Sequence, residues 1–232
     1  MADIAAIINQ TSTIKAIDLY YEANFVQRRR LGLSQIRHNC NRFLWYKHHG
    51  YDEPVPDGRV LRLFELGNMI EDKVAKDLEQ CGFIIEKKQA PVEFSLNGIT
   101  LTGSCDGVIS GLIESSQPHL WECKSMGAKG FKKLLSCKYE EYNPQYKGQV
   151  HSYMLGMGLT NAFATVYNKD TSELYQERIK LKKDWIIEKF QSVFEAIGQK
   201  NPPERLCRRA TDFEAKWCPF YKTCFSLQPP PA

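Results

Sequence analysis

Asp106-Gly107 and Glu122-Cys123-Lys124 are the residues of this chain best suited to do chemistry. Val108-Ile109 follows the aspartate, and Leu120-Trp121 leads into the glutamate. Side chains in a strand alternate faces, so Glu122 and Lys124 point one way and Cys123 the other. Charged groups that converge at strand ends are costly to bury without a cation or a substrate. Aspartate and glutamate are the hard oxygen ligands that magnesium or manganese takes. A lysine beside them can orient or deprotonate a water, or stabilise developing negative charge. Together these are the means of metal-assisted phosphodiester hydrolysis. The bare spacing is weak evidence, because Glu and Lys are common and the motif arises by chance.

Such residues need elements to hold them. Apolar periodicity in Leu63, Leu66, Ile70, Val74 and Leu78 predicts a helix over 60–80, before the motif. An earlier helix is predicted over 34–49, with Ser34 as N-cap and Gly50 as the stop. Five extended segments follow at 83–85, 92–96, 99–102, 106–113 and 119–124, all rich in β-branched and aromatic residues. Asn97-Gly98 between two of them is a hairpin signal. Helices are expected over 130–135, 145–157 and 183–197, and strands over 162–167 and 174–179. This order gives an α/β fold with a central mixed sheet flanked by helices.

The 232 residues are 43% hydrophobic and 25% charged, enough for one domain with a sizeable core. Segments 1–33 (helical and basic), 34–200 (core), 201–225 (cysteine tail) and 226–232 (frayed tail) are expected within it. Mean hydropathy is −0.43 and no long uncharged apolar run exists, so no membrane association is expected. Residues 1–10 are apolar but lack a basic leader, which does not read as a signal peptide. A reducing cytoplasm is therefore the expected compartment, with the eight cysteines unpaired. Cys81, Cys105, Cys123 and Cys137 read as small core thiols. The net charge of +4 permits a polyanionic partner without demanding one. Arg28-Arg29-Arg30 reads as a solvated face, whereas Lys129, Lys132, Lys133 and Lys138 follow directly on the Glu122/Lys124 segment.

Two further constellations matter. Glu71, in the helix ahead of the strands, is placed to reach a metal held by Asp106 and Glu122, although an exposed helical glutamate is the ordinary case. Gln149 and Tyr153 share a helix face, with Tyr146 nearby, and could offer an amide and a phenol to a phosphate or base.

Taken in order, Gly67-x-x-x-Glu71, Asp106-Gly107, Glu122-Cys123-Lys124 and Gln149-x-x-x-Tyr153 resemble the PD-(D/E)xK nuclease superfamily in its RecB-like branch. The resemblance runs from about Ser34 to Cys224 and implies a restriction-endonuclease-like core. It implies Mg²⁺ or Mn²⁺ held by Glu71, Asp106, Glu122 and the Cys123 backbone carbonyl. Lys124 would position the attacking water, and Gln149 and Tyr153 would organise the site and contact DNA. Lys129, Lys132, Lys133 and Tyr146 become candidate DNA-binding residues. Many iron–sulfur relatives carry histidine where this chain has Glu71, which leaves metal preference open.

Cys40, Cys207, Cys218 and Cys224 resemble the staple of the iron–sulfur nucleases, such as the AddB-type and CRISPR-associated exonucleases. There four thiolates hold a 4Fe-4S cluster that ties the C-terminal tail to an N-terminal helix. The usual C-x-x-C-x5-C is altered: Ala215 stands at the first position, and Cys207 must substitute. Zn²⁺ would satisfy the same ligands, with His38 able to compete. The tail after Pro203 shows little apolar periodicity to dock it otherwise.

The implied activity is a metal-dependent exonuclease acting on single-stranded DNA or DNA ends in a bacterial or phage-infected cell. Recombination, repair, phage replication and CRISPR adaptation are the implied settings, with a protein partner from recombination or CRISPR adaptation. An endonuclease with the same site, or a non-catalytic DNA-binding recombination scaffold, are the alternatives.

Overall fold

The computed structural model describes residues 12–28 and 30–225. Readings of the leader, of Arg29 and of the 226–232 tail lie outside the described residues. The sheet that carries the motif has five strands in the order β1 (Ile84–Glu86), β4 (Gly107–Ser110), β5 (His119–Met126), β6 (Asn161–Asn168) and β7 (Leu174–Lys180). Only β5 and β6 run parallel, so the sheet is mixed. The remaining strands, β2 (Pro91–Leu96) and β3 (Ile99–Ser104), form a separate hairpin through Asn97-Gly98.

Alternation along β5 and β6 sorts side chains onto two faces. Trp121, Cys123 and Phe163 join Val74 and Ala75 of helix α3 (Gly58–Gln80) in one apolar cluster. Leu120, Met126, Ala162, Ala164 and Val166 face the other way. They pack with Val150 and Met154 of α6 (Pro144–Met157) and Phe190 of α7 (Lys183–Ile197). The hairpin lies on α7, where Phe94 stacks on Phe190 at 3.8 Å. The architecture is thus α/β, with helices on both sides of a mixed sheet.

Four sequence expectations need correction. The helix expected over 34–49 is broken into a 3-10 turn (Leu33–Gln35) and helix α2 (Asn41–His48). His38 Nδ1 accepts the Cys40 N–H at 3.2 Å, and the Cys40 sulfur accepts the Phe43 N–H at 3.4 Å. These side-chain bonds compete with helix propagation and make Cys40 the cap. Helix α3 forms as expected, but Leu63 and Leu66 are exposed. Its first half lies beside α1 (Thr13–Asn24) through the Arg62–Asp18 ion pair, and only its second half reaches the sheet. Cys81 is exposed, because it forms the C-cap of α3, and Cys137 is only half-buried. The extended segment expected over 106–113 ends at Ser110, since Gly111 takes φ +81°.

Short helices α4 (Ala128–Leu135) and α5 (Tyr139–Tyr142) link β5 to α6. Glu140 ties this linker down. It accepts from His151 Nε2 at 2.7 Å and from Lys182 Nζ at 2.9 Å, while His151 Nδ1 accepts the Lys182 N–H. Burial opposes the carboxylate, but His151 and Lys182 outweigh it and pull Glu140 from 4.5 down to about 2. A carboxyl depressed by folding contributes stability above its unfolded value and loses it as pH falls toward the folded one. Glu140→Gln is therefore expected to cost about 1–2 kcal/mol at neutral pH, after a discount for solvent screening. The deficit relative to wild type should shrink between pH 4.5 and about 2, as urea titrations at several pH values can measure. A deficit independent of pH in that window would mean that the contact works by shape alone.

Candidate active site

The E-x-K segment lies on the strand that joins the two halves of the sheet. Asp106 precedes β4, and its Oδ2 accepts the Cys123 N–H of β5 at 2.7 Å. This bond continues the pairing of β4 with β5 beyond Gly107↔Trp121 and fixes the carboxylate next to Glu122. Glu122 is 1% exposed. Its Oε1 accepts from Lys124 Nζ, while Oε2 is buried without a hydrogen-bond partner among the described residues. Lys124 also donates to the Cys123 carbonyl at 3.3 Å and lies 5.8 Å from the centre of the Tyr146 ring. The same-face placement of Glu122 and Lys124 follows the strand alternation, and the Cys123 thiol packs into the opposite cluster.

Glu71 projects from α3 half-buried, accepting from Gln89 Nε2 at 2.6 Å. Burial, then the Asp106 charge, pushes its carboxyl up to about 7. The same two causes push Glu122 up to about 8. Burial raises Asp106 as well, against the pull of Lys124 and the Cys123 N–H. Burial alone would lower the Lys124 ammonium, but Glu122, with Tyr139 and Asp106, holds it well above its ordinary value. Three mutually repelling carboxyls thus share a single lysine. Hard oxygen donors crowded in this way, one with a bare buried atom, suit a divalent cation. Among the described residues no group of three His, Cys, Asp or Glu side chains is close enough to hold a metal ion as it stands.

The remaining predicted residues divide by distance. Tyr153 is buried, and burial and then Glu122 raise its phenol. Its ring closes on Gly103, where a Cβ would lie 2.6 Å from Tyr153 Cε1. Gln149 stands one turn earlier on α6, half-buried, with no hydrogen-bond partner among the described residues. Tyr146 stacks between Tyr139 and Tyr142, at 5.2 and 6.0 Å. Lys129, Lys132 and Lys133 are exposed on α4, and Lys133 lies over the Tyr142 ring at 5.5 Å.

Sequence reasoning missed Tyr139 and Gln89. Tyr139 is fully buried and its hydroxyl has no partner among the described residues. The Tyr139, Tyr142, Tyr146 spacing was a readable stripe of helical type, whereas Gln89 reaches Glu71 from a loop with no local signal.

Cys40, Cys207, Cys218 and Cys224 come into one neighbourhood. Burial, first, and then the charges of the other cluster thiols raise the Cys218 thiol; Cys207 is raised by burial, then by Glu214 and Asp212, ahead of Cys40 and Cys224. Cys40, Cys207 and Cys218 line a cleft with His38, and Arg42 Nη1 approaches the Cys224 sulfur at 3.9 Å.

No protein-family model and no curated protein matches the sequence. Solved structures do match. The crystal structure of SSO0001 superposes with a TM-score of 0.53 at 13% identity, over 95% of this chain and 100% of that one. An alkaline exonuclease from Laribacter hongkongensis, LHK-Exo, matches with a TM-score of 0.50 at 16% identity, over 76% of this chain and 89% of that one. The fold is shared with a nuclease. At such identities the likeness speaks for the α/β core and its mixed sheet, and the site rests on its own geometry. Among the described residues no helix is long and apolar enough to cross a membrane.

Proposed function

We propose that this chain is a metal-dependent deoxyribonuclease of the PD-(D/E)xK superfamily, in its RecB-like branch, acting as an exonuclease on single-stranded DNA or DNA ends. The observation that carries this reading is the Glu71–Asp106–Glu122 set around Lys124, with Glu122 Oε2 bare and buried. The fold held in common with LHK-Exo, an alkaline exonuclease, supports it. Glu71, Asp106, Glu122 and the Cys123 carbonyl would hold Mg²⁺ or Mn²⁺, and such an ion supplies Lewis acidity toward a phosphate oxygen. Lys124, already fixed by Glu122 and the Cys123 carbonyl, orients the attacking water. Gln149 offers a free amide, and Tyr153 walls the site. The lysines of α4 would neutralise phosphates of the nucleic-acid backbone, and Tyr146 would contact it beside them. DNA recombination, repair, phage replication or CRISPR adaptation would supply the substrate and a protein partner.

The four-cysteine neighbourhood would hold a 4Fe-4S cluster, or Zn²⁺, since four soft thiolates suit either. A brown protein with broad visible absorption is the expected anaerobic preparation, and a colourless one with stoichiometric zinc would replace iron with zinc in this reading.

Digestion of end-labelled single- and double-stranded DNA with Mg²⁺ and with Mn²⁺ tests the activity. Wild type is expected to degrade DNA, and Lys124→Ala to lose at least about 100-fold in rate while remaining folded. Undiminished cleavage by that variant would sink the assignment. Cutting of closed circular single strands would make the enzyme an endonuclease with the same site.

A further inference from the structure

We infer that Tyr139 is a positioning residue for Glu122, its hydroxyl fixing the carboxylate oxygen that Lys124 leaves free. This rests on the reading of the carboxylate site as a divalent-cation nuclease centre. Tyr139 is 0% exposed, and its hydroxyl is one of only four buried side-chain polar atoms without a partner among the described residues. A phenylalanine would fill the same space without burying a bare donor, and a buried tyrosine hydroxyl ordinarily finds an acceptor. Glu122 Oε2 is another of those four atoms. One is a donor, the other an acceptor.

A chain of contacts leads from one to the other. The Tyr139 ring stacks on Tyr146 at 5.2 Å, the Tyr146 ring centre lies 5.8 Å from Lys124 Nζ, and Lys124 donates to Glu122 Oε1. Glu122 is the strongest charge acting on the phenol, ahead of Lys124. The Tyr139 backbone is anchored independently, its N–H donating to Glu177 Oε2 at 2.9 Å. The ring is therefore held by the fold, and only the hydroxyl is left for the site. Neither atom bonds the other directly, but a carboxylate oxygen has two lone pairs, so Oε2 can accept from the phenol through one water and still face a cation. Outer hydrogen bonds of this kind orient the groups that touch a metal.

Tyr139→Phe keeps the ring and removes the donor. Metal-free wild type and variant are compared by thermal melting, by calorimetric titration with Mn²⁺, and by DNA cleavage at rising Mn²⁺. The variant is expected to melt no lower than wild type and to bind Mn²⁺ about 10- to 100-fold more weakly. Its cleavage should fall at limiting Mn²⁺ and recover toward wild type at saturation. Equal Mn²⁺ affinity, or a lower melting temperature in the metal-free variant, overturns the inference, because the hydroxyl then serves nothing or serves the fold. Wild type that neither binds Mn²⁺ nor cleaves DNA overturns the nuclease reading itself, and this inference with it. Wild type that does both, beside an unchanged variant, overturns the inference alone.

Discussion

Glu122→Gln is expected to lower DNA cleavage by at least about 1,000-fold while the metal-free protein melts no lower than wild type. Most substitutions at a 1% exposed position destabilise. In the metal-free protein burial and then Asp106 already push this carboxyl up to about 8, so the substitution takes little charge from the fold at neutral pH. Oε2 has no donor among the described residues, and Asp106 and Glu71 both repel the carboxylate. Glutamine keeps the shape, and its carbonyl can still accept from Lys124. Lys124 loses a counter-charge but retains the Cys123 carbonyl and the field of Asp106. Breaking a buried ion pair ordinarily costs a good deal because it strands a charge. Here three carboxyls surround one ammonium, so neutralising one relieves more repulsion than it strands. A cation changes the sign of the balance. Wild type at an Mn²⁺ concentration about 100 times its dissociation constant should gain about 2.7 kcal/mol, or roughly 5–10 °C in Tm. The variant should gain almost nothing. Scanning fluorimetry with and without Mn²⁺ measures this directly. A variant that melts far below wild type would make Glu122–Lys124 a structural pair, and one that cleaves normally would remove Glu122 from the chemistry.

The sheet and the placement of the motif were legible because they depend on local pattern. Alternation over 119–124 put Glu122 and Lys124 on one face, and β-branched runs with Asn97-Gly98 placed strands and hairpin. What stayed hidden depends on partners distant in sequence. The break before Cys40 comes from a histidine nitrogen and a thiol that bond backbone N–H groups, a choice that apolar periodicity does not record. Leu63 and Leu66 continue the apolar stripe of α3, yet among the described residues only the second half of that helix packs on the sheet. Tyr139 shared a stripe with Tyr142 and Tyr146, but nothing in that stripe distinguishes a phenol that feels the Glu122 charge from an ordinary core ring.

Phe220→Ala is expected to cost about 3–5 kcal/mol and to lower Tm by roughly 10 °C, even in a chelator. The sequence suggested that the tail has little besides its cysteines to dock it. Between Cys218 and Cys224, however, Phe220 is 1% exposed and Ala215 nearby is 2% exposed. The Phe220 ring packs against Phe43 and Tyr46 of α2, each at 5.4 Å. Trp45 of the same helix donates to the Gln199 carbonyl at 2.8 Å, just where the tail departs. The tail is thus seated by an aromatic plug in the helix that Cys40 caps. A single aromatic side chain lacks the periodicity that sequence patterns detect, which is why it escaped notice. The plug also brings Cys218 and Cys224, two and four residues to either side, to the Cys40 end of α2. Apolar docking thus brings these thiols to α2 without help from a metal, and a cluster, were one held there, would add to that docking. Urea unfolding in chelator reads the apolar docking alone. A loss below about 1 kcal/mol there would return the docking to the thiols. A full loss in chelator would show that the plug docks the tail without a metal.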